Sequence, residues 1–406
     1  MGRTSPVLLA AALGVAVALV AGTATLWPRD HPTIAPAGAP APAATQPAPD
    51  PATLQRLVDG VVEAGAPGAV AVVRTGQRTW QGVSGRGDLT ARRPPRPTDR
   101  FRIGSVTKSF VATVVLQLAG EGRLSLDDNL ERWLPGAVPH GERITIRQLL
   151  NHTSGLYDYT DELLPPLADM PARQALRQMA ARNFRPRQLV AIATRHRPLF
   201  APGTRFAYSN TNYILLGLVV ERVTGDQLAV QLHQRILAPL KLADTELPGT
   251  QQHLRGRHVH GYAPPDRAWL PSDGPAGLVD VTQTNPSWSW AAGAMVSSTP
   301  DLARFYQALL GGRLLDPGLL EAMRTTVDAS EQFGAGAGYG LGLLRLPLGC
   351  DGQVWGHGGE LPGYATVAFS SRDAARQLIL VSNLVPAPGG AVQAAVEHGL
   401  TQGLSC

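Results

Sequence analysis

The sequence predicts a mixed α/β (α+β) fold: an antiparallel sheet flanked by helices, with a mainly helical subdomain inserted in the middle of the chain. Residues 68–80 run as an apolar strand, a Thr75-Gly76 turn and a returning strand, which is typical of a hairpin. Residues 354–383 hold three more strand-like runs, with Gly358-Gly359 among the turn residues between them. Residues 121–284 carry short helical patterns and many prolines. The sheet is therefore expected to form from both ends of the chain.

Two helical patterns accompany these strands. Apolar residues recur at helical spacing just after Pro51 and predict a first amphipathic helix (Leu54, Leu57, Val58, Val61, Val62). From Ser105 to about Gly120 the pattern is helical and almost uncharged. A helix with so few charges is expected to be buried.

The first 26 residues are typical of an export signal. Arg3 gives a short positive start, residues 7–20 are continuously apolar, and Gly22-Thr23-Ala24 offers small residues for cleavage. The prediction is a cleaved signal peptide. The alternative is an uncleaved anchor, because the apolar run is almost long enough to span a bilayer. In both cases the folded body is expected outside the cytoplasm, secreted or membrane-anchored and facing the cell wall.

Composition divides the rest of the chain. A stretch rich in Pro and Ala follows the signal and cannot build a packed core, so it is interpreted as a linker. The predicted organisation is a signal segment (1–26), a linker (27–52) and one folded domain (53–406), which has a sheet subdomain (53–115 and 285–406) and a helical subdomain (116–284).

Composition also limits the classes of function. With 44% hydrophobic and 17% charged residues, the 406-residue chain is globular. Its net charge of +5 is spread singly or in pairs, without the dense basic block of a nucleic-acid arm, so no nucleic-acid partner is expected. Lys108 and Lys241 are the only lysines among 36 basic residues. A lysine in this background marks a position where giving up a proton matters, since arginine stays charged.

The two cysteines of the chain are Cys350 and Cys406. A single pair in an exported protein predicts one disulfide, which would hold the C-terminus to the body. The alternative is two unrelated thiols.

Three clusters carry candidate chemistry. Ser105 precedes Lys108 by three residues, so both lie on one helix face, and a buried lysine can serve as base for a serine nucleophile. Tyr208-Ser209-Asn210 offers a phenol that can relay protons and an amide that can orient groups. His357-Gly358-Gly359 lets a substrate lie against the backbone, beside a partial or full positive charge on the imidazole.

In this order, Ser105-x-x-Lys108, Tyr208-x-Asn210 and His357-x-Gly359 resemble the three signatures of the serine β-lactamase/penicillin-binding fold. The chain is similar in particular to the class C-like hydrolases around the soluble secreted D-alanyl-D-alanine carboxypeptidase. The resemblance covers residues 53–406, and the two cysteines sit where that enzyme has its disulfide. It rests on the motifs and on further segments (Gly104–Phe110, Ser154–Thr160, Tyr208–Asn212, Ala292–Ala294, Ser297–Thr299, Tyr339–Leu343).

The resemblance implies a role for each motif residue. Ser105 would attack the carbonyl and form an acyl-enzyme, while Lys108 and Tyr208 move the proton. Asn210 would hydrogen-bond the substrate and the lysine, and His357 would replace the lysine of a commoner motif.

The resemblance also implies a substrate-binding set. The backbone N–H groups of Ser105 and Glu360 would form an oxyanion hole. Trp288 would line the pocket, and Gly358 and Gly359 would lie along the substrate.

Two departures concern the binding of a substrate carboxylate. Gly358 stands where the carboxypeptidase pattern has threonine, so one hydroxyl is missing. The family's carboxylate-binding arginine corresponds to Leu344, and Arg345 comes one residue later. In a strand this offset turns a side chain to the opposite face unless a bulge restores it.

The expected function is therefore a serine D-Ala-D-Ala carboxypeptidase acting on small or cell-wall peptides and acylated by β-lactams, as a monomer without a cofactor. A family esterase or amidase with another substrate is one alternative, and a slowly turning-over penicillin-binding sensor is another. A Ser-His-Asp esterase of another fold is not favoured. Its nucleophile elbow has the pattern G-x-S-x-G, and residues 82–86 lack the last glycine of this pattern. His258 and His260 have no accompanying ligand cluster, so no metal is expected.

Overall fold

The structure is a computed structural model that describes residues 50–164, 171–265, 277–348 and 352–385. The predicted signal segment, most of the linker, Cys350 and Cys406 lie outside the described residues, so the leader and the disulfide stay predictions. No helix in the described ranges is long and apolar enough to cross a membrane.

Eight strands form one antiparallel sheet in the order β2-β1-β12-β11-β10-β9-β8-β7. The N-terminal hairpin therefore pairs with the last strand, as a sheet assembled from both chain ends requires. Short pairs β3-β6 and β4-β5 lie apart from this sheet. The strands are β1 (Gly68–Thr75), β2 (Arg78–Gly85), β3 (Phe101–Arg102), β4 (Tyr262–Ala263), β5 (Val279–Asp280), β6 (Val296–Ser297), β7 (Val327–Asp328), β8 (Gly338–Tyr339), β9 (Leu344–Pro347), β10 (Gln353–Leu361), β11 (Tyr364–Ser371) and β12 (Arg376–Ser382).

Helices cover both faces of the sheet and fill the segment between its two halves. Single 3-10 turns at Gly104–Val106, Gly141–Arg143 and Pro286–Trp288 and a π turn at His233–Leu237 link some of them. The helices are α1 (Pro51–Glu63), α2 (Thr107–Gly120), α3 (Leu130–Trp133), α4 (Ile146–Leu150), α5 (Thr160–Leu163), α6 (Ala172–Ala181), α7 (Pro186–Ala193), α8 (Asn210–Thr224), α9 (Leu228–Leu232), α10 (Trp290–Gly293), α11 (Thr299–Leu310), α12 (Pro317–Arg324) and α13 (Ser330–Phe333).

Alternation along the strands divides the core into two layers. In β1, Val70 and Val72 face the large cluster around α2, α8 and α11, while Ala69, Ala71 and Val73 face α1. The predicted buried helix is confirmed as α2, most of whose side chains are buried and which packs against α8 and α10. It therefore forms a rigid support for the residues at its N-terminus.

One predicted turn is wrong. Gly358 and Gly359 lie inside β10, paired with Val367 and Thr366, and the chain reverses afterwards at Gly363. A Cβ on Gly359 would stand 2.0 Å from the carbonyl oxygen of Ile103. Glycine is needed here because the strand packs directly against another backbone. In the sequence, such a glycine cannot be distinguished from a glycine in a turn.

Gly359→Ala tests this close packing. Because backbone atoms cannot move aside as a side chain can, we expect the substitution to lower the free energy of unfolding by about 1–3 kcal/mol. Gly60→Ala in α1 is the matched control, since no atom lies within 4 Å of its added Cβ. Urea unfolding followed by tryptophan fluorescence measures both. An unchanged midpoint for the Gly359 variant would contradict the packing described here.

Candidate active site

Ser105 sits in the 3-10 turn that leads into α2. The turn begins at Gly104, whose φ of +53° is a left-handed conformation that favours glycine. Lys108 follows in the first turn of α2 and is fully buried. The local fold thus carries the serine and the lysine to one point, as their spacing predicts.

The Lys108 ammonium is surrounded by three oxygen acceptors. Its Nζ lies 2.9 Å from Ser105 Oγ, 2.8 Å from Asn210 Oδ1 and 2.7 Å from the carbonyl oxygen of Ala292. Burial lowers the pKa of Lys108 to about 7, and the carboxylate of Asp158 acts in the opposite direction. A lysine with this pKa loses its proton near neutral pH and can then accept the proton of Ser105.

Tyr208 lies close to both Lys108 and Ser105. The Lys108 Nζ stands 4.8 Å from the centroid of its ring. Burial raises the pKa of Tyr208 well above its ordinary value, although a hydrogen bond with Ser105 acts against this rise. The phenol therefore keeps its proton at neutral pH, which suits a proton donor and relay and leaves the base role to Lys108.

Asn210 is held in one orientation at the start of α8. Its Nδ2 donates to Asp158 Oδ2 at 2.8 Å, and its backbone N–H donates to the same oxygen at 2.9 Å. Because the carboxylate accepts from the amide nitrogen, the amide oxygen of Asn210 is left to face Lys108.

His357 reaches the site as an uncharged ring. Burial lowers its pKa to about 3, with the Lys108 charge as the second cause. Its Nδ1 faces the carbonyl oxygen of Gly358, so this nitrogen carries the proton, and Nε2 accepts from the Tyr339 hydroxyl at 2.9 Å. Of the two charge states that the sequence leaves open, the structure favours the neutral one.

Strand β10 brings the candidate oxyanion-hole groups against the serine. A Cβ on Gly359 would lie 2.9 Å from the Ser105 backbone nitrogen, and a Cβ on Gly104 would lie 2.5 Å from that of Glu360. The backbones therefore touch at this junction. Beyond it, buried Trp288 packs with Leu361 in a small apolar cluster.

Arg345 starts from the same sheet face as His357, because it pairs with Trp355 in the β9–β10 register. Leu344 lies on the opposite face, because it pairs with Gly356, so Arg345 and not Leu344 shares the face of His357. Its guanidinium, however, donates to the carbonyl oxygen of Gly336 at 3.3 Å, and no described contact joins it to the serine.

Three site residues carry no role in the sequence interpretation. Asp158 orients Asn210, the Ala292 carbonyl oxygen accepts from Lys108, and His152 packs behind Tyr208. Asp158 and Ala292 fall in segments that resemble the family, which is the signal that could have identified them. His152 precedes such a segment by two residues.

The comparison with protein families decides the identity of this arrangement. The β-lactamase family profile matches residues 54–401, most of the chain. The chain belongs to the β-lactamase family. It is a serine hydrolase of this family, and it shares the mixed α/β fold with an antiparallel sheet.

Several relatives of this β-lactamase-family chain bear names that refer to D-amino acids. A D-stereospecific amidohydrolase from a Streptomyces species matches with 40% identity and a TM-score of 0.76, over 86% of this chain and 98% of that one. The D-aminopeptidase of Brucella ovis is 32% identical over 82% of this chain and 59% of its own length. Penicillin-binding protein 4* of Bacillus subtilis is 28% identical over 78% of this chain and 68% of its own length.

The pKa of Lys108 predicts the pH dependence of the reaction. The base form exists above about pH 7, so kcat/KM is expected to rise with pH through this value and to fall about tenfold per unit below it. A pH–rate profile from 5 to 9 with a nitrophenyl ester measures this. Lys108→Arg keeps the charge but cannot release the proton, so activity is expected to drop roughly 100-fold or more at every pH. A profile that stays flat from pH 5 to 8 would contradict the assignment.

Proposed function

We propose that the protein is an amidohydrolase for amides and short peptides of D-amino acids that bear a free α-amino group. The observation that carries this proposal is the charge of the site: carboxylates border it, the hydroxyl expected at position 358 is missing, and the Arg345 guanidinium bonds to the Gly336 carbonyl oxygen. The names of its relatives support the same substrate class.

The acidic border consists of two side chains. Asp158 contacts Asn210. Asp161 lies one helical turn beyond Asp158, and desolvation raises its pKa to about 6, with the Asp158 charge as the second cause. An ammonium group is attracted to such a border, and a carboxylate is repelled from it.

The proposed reaction follows from the contacts. Neutral Lys108 takes the proton of Ser105 while Oγ bonds to the substrate carbonyl carbon, and the N–H groups of Ser105 and Glu360 hold the oxygen that becomes negative. Tyr208 gives its proton to the departing amine as the C–N bond breaks, and Lys108 returns a proton to Tyr208. Water then attacks the acyl-enzyme, its proton returns to Ser105, and the free acid leaves.

D-Ala-D-Ala carboxypeptidase activity is the second candidate. The observation in its favour is Arg345, which starts from the sheet face of His357 and whose contact with Gly336 is long. Acylation by β-lactams belongs to the same proposal. We further propose export and a monomeric state, as the sequence predicts.

A panel of four substrates separates the candidates. D-Alanine amide is expected to be hydrolysed, and L-alanine amide much more slowly. N-acetyl-D-alanine amide lacks the ammonium group, so its kcat/KM is expected to be roughly 10- to 100-fold lower, the loss of a charged hydrogen bond. N-acetyl-D-Ala-D-Ala tests the carboxypeptidase, and Ser105→Ala is the inactive control. If the acetylated dipeptide is the best substrate, the amidohydrolase proposal is wrong.

A further inference from the structure

The backbone of the Tyr208-Ser209-Asn210 motif is held by side chains from three other parts of the chain. Its three consecutive N–H groups donate to Gln332 Oε1 at 3.0 Å, to His152 Nδ1 at 3.1 Å and to Asp158 Oδ2 at 2.9 Å. Ser209 itself is extended, with φ −144°, ahead of α8. The motif is thus fixed one peptide at a time by acceptors outside it.

His152 differs from the other two acceptors because it also contacts the Tyr208 ring. The two rings stack with centroids 4.2 Å apart and an interplanar angle of 29°. His152 is fully buried, with the Tyr213 and Tyr339 rings also packed around it. One side chain therefore constrains both the backbone next to Tyr208 and the plane of the phenol.

The contacts also define the state of the ring. Nδ1 accepts from the Ser209 N–H, so the proton is on Nε2, and Nε2 has no hydrogen-bond partner. A second proton on Nδ1 would oppose the Ser209 N–H. The neutral form is therefore the one that holds the motif.

We propose that His152 is the positioning residue for the Tyr208 phenol. It touches neither the serine nor the lysine in any described contact, and it acts by aiming the phenol at the departing amine. This proposal rests on acyl transfer through Ser105 and is independent of which amide is the natural substrate.

Two variants of His152 each remove one of its two contacts and keep the other. His152→Phe keeps a ring against Tyr208 without the acceptor, and His152→Asn keeps an acceptor at the position of Nδ1 without the ring. Both are compared on an alkyl amide, whose amine must gain a proton to leave, and on a nitrophenyl ester, whose phenolate leaves without one. For each variant, the loss in kcat on the amide is expected to be roughly 10-fold or more larger than the loss in kcat on the ester. This difference is within the range of general acid catalysis.

A double-mutant cycle with Tyr208→Phe completes the test. If His152 acts through Tyr208, adding His152→Asn to Tyr208→Phe is expected to leave amide kcat within about twofold. His233→Phe and His233→Asn at an exposed histidine are the matched controls, and stoichiometric labelling of Ser105 by a fluorophosphonate shows an intact site. Equal losses in kcat on the amide and the ester would overturn the proposal. It would also be overturned if the loss in the double variant equals the product of the losses in the two single variants.

A second inference concerns an arginine-rich segment between Asp169 and Glu221. It holds eight of the 36 basic residues and none of the 31 acidic ones, so the rest of the chain, with 28 basic and 31 acidic residues, carries a net charge of about −3. The segment therefore accounts for the positive charge of the protein. All eight arginines are exposed: Arg173, Arg177, Arg182, Arg185, Arg187, Arg195, Arg197 and Arg205.

These arginines are largely free to meet a ligand. Across the described residues, Arg195 is the one member of the eight with an ion pair, to Glu162 at 2.6 Å. Arg182 and Arg205 lie over the rings of Phe184 and Phe200 and keep their charge exposed. By contrast, arginines elsewhere often pair with carboxylates, as Arg132 and Arg257 do.

The segment borders the site on the side of the leaving group. Its last arginine, Arg205, stands three residues before Tyr208, the proposed proton donor, beside which the departing amine must lie. In the middle part of the segment, the Phe184 N–H donates to Ser287 Oγ at 3.0 Å, next to Trp288. The segment also touches the acidic border, because Arg195 pairs with Glu162, next to Asp161, and His196 stacks on Tyr157, next to Asp158.

We infer that the arginine-rich segment binds the leaving portion of acidic peptides, so that the preferred substrates carry a free D-amino terminus followed by carboxylate side chains. This inference rests on the proposed amidohydrolase function. Charge on such a surface raises the rate of association and loses this effect in salt.

Two peptides, D-Ala-Gly-Gly-Gly and D-Ala-Glu-Glu-Glu, test it. The glutamate peptide is expected to have about tenfold higher kcat/KM at low salt, and 0.5 M NaCl is expected to remove the difference. The triple variant Arg187→Gln/Arg197→Gln/Arg205→Gln should lose the preference. Arg78→Gln/Arg92→Gln/Arg313→Gln, with the same change in net charge, should keep it.

D-Alanine amide separates the two proposals, because it has no charged leaving group. If it is hydrolysed while both peptides react equally, or both triple variants lose the preference, the inference is wrong and the proposed function stands. If it is not hydrolysed, both fail. Binding of the protein to anionic vesicles, lost in the first triple variant and without a peptide preference, would assign the surface to a membrane instead.

Discussion

A buried lysine is the constraint around which this site is built. An ammonium group removed from water must find an acceptor for each of its N–H bonds, or its proton is lost. Lys108 finds three acceptors at 2.7–2.9 Å, and they come from the 3-10 turn before α2, from the start of α8 and from α10. Burial lowers its pKa and the Asp158 carboxylate acts in the opposite direction, which brings the pKa near neutrality, where a base is most useful. The arrangement of the three segments is therefore also the arrangement of the chemistry.

The remaining packing serves to hold those segments still. Helix α2 is apolar on nearly every side and packs against α8, α10 and strand β10 of the sheet. Strand β10 approaches so closely at Gly359 that no side chain fits between it and the Ser105 turn. Asp158 fixes the Asn210 amide, and His152 stacks on Tyr208. Rigid elements thus support every group that has to face the substrate.

The sequence predicted what local patterns encode. The spacing of Ser105 and Lys108 and the apolar character of α2 are local, and the structure places both as expected. Gly358-Gly359 was misassigned to a turn because a glycine required by a distant backbone has the same local signature as a glycine required by a positive φ. His152 and Gln332 were not predicted for a related reason: each contacts residues over 50 positions away in the sequence, and such contacts leave no periodicity.

The order of strands has a consequence for how the protein is made. Strand β1 lies between β2 and β12, and the Gly68 N–H bonds to Asn383 Oδ1 across 315 positions of sequence. Contacts of such long range form late and slow folding. During synthesis the N-terminal hairpin cannot pair with β12 until β12 has been made. Strand β10, which borders the nucleophile, is made shortly before β12. A chain that stops before β12 cannot close the sheet, and we expect such a chain to be inactive until β12 has been made.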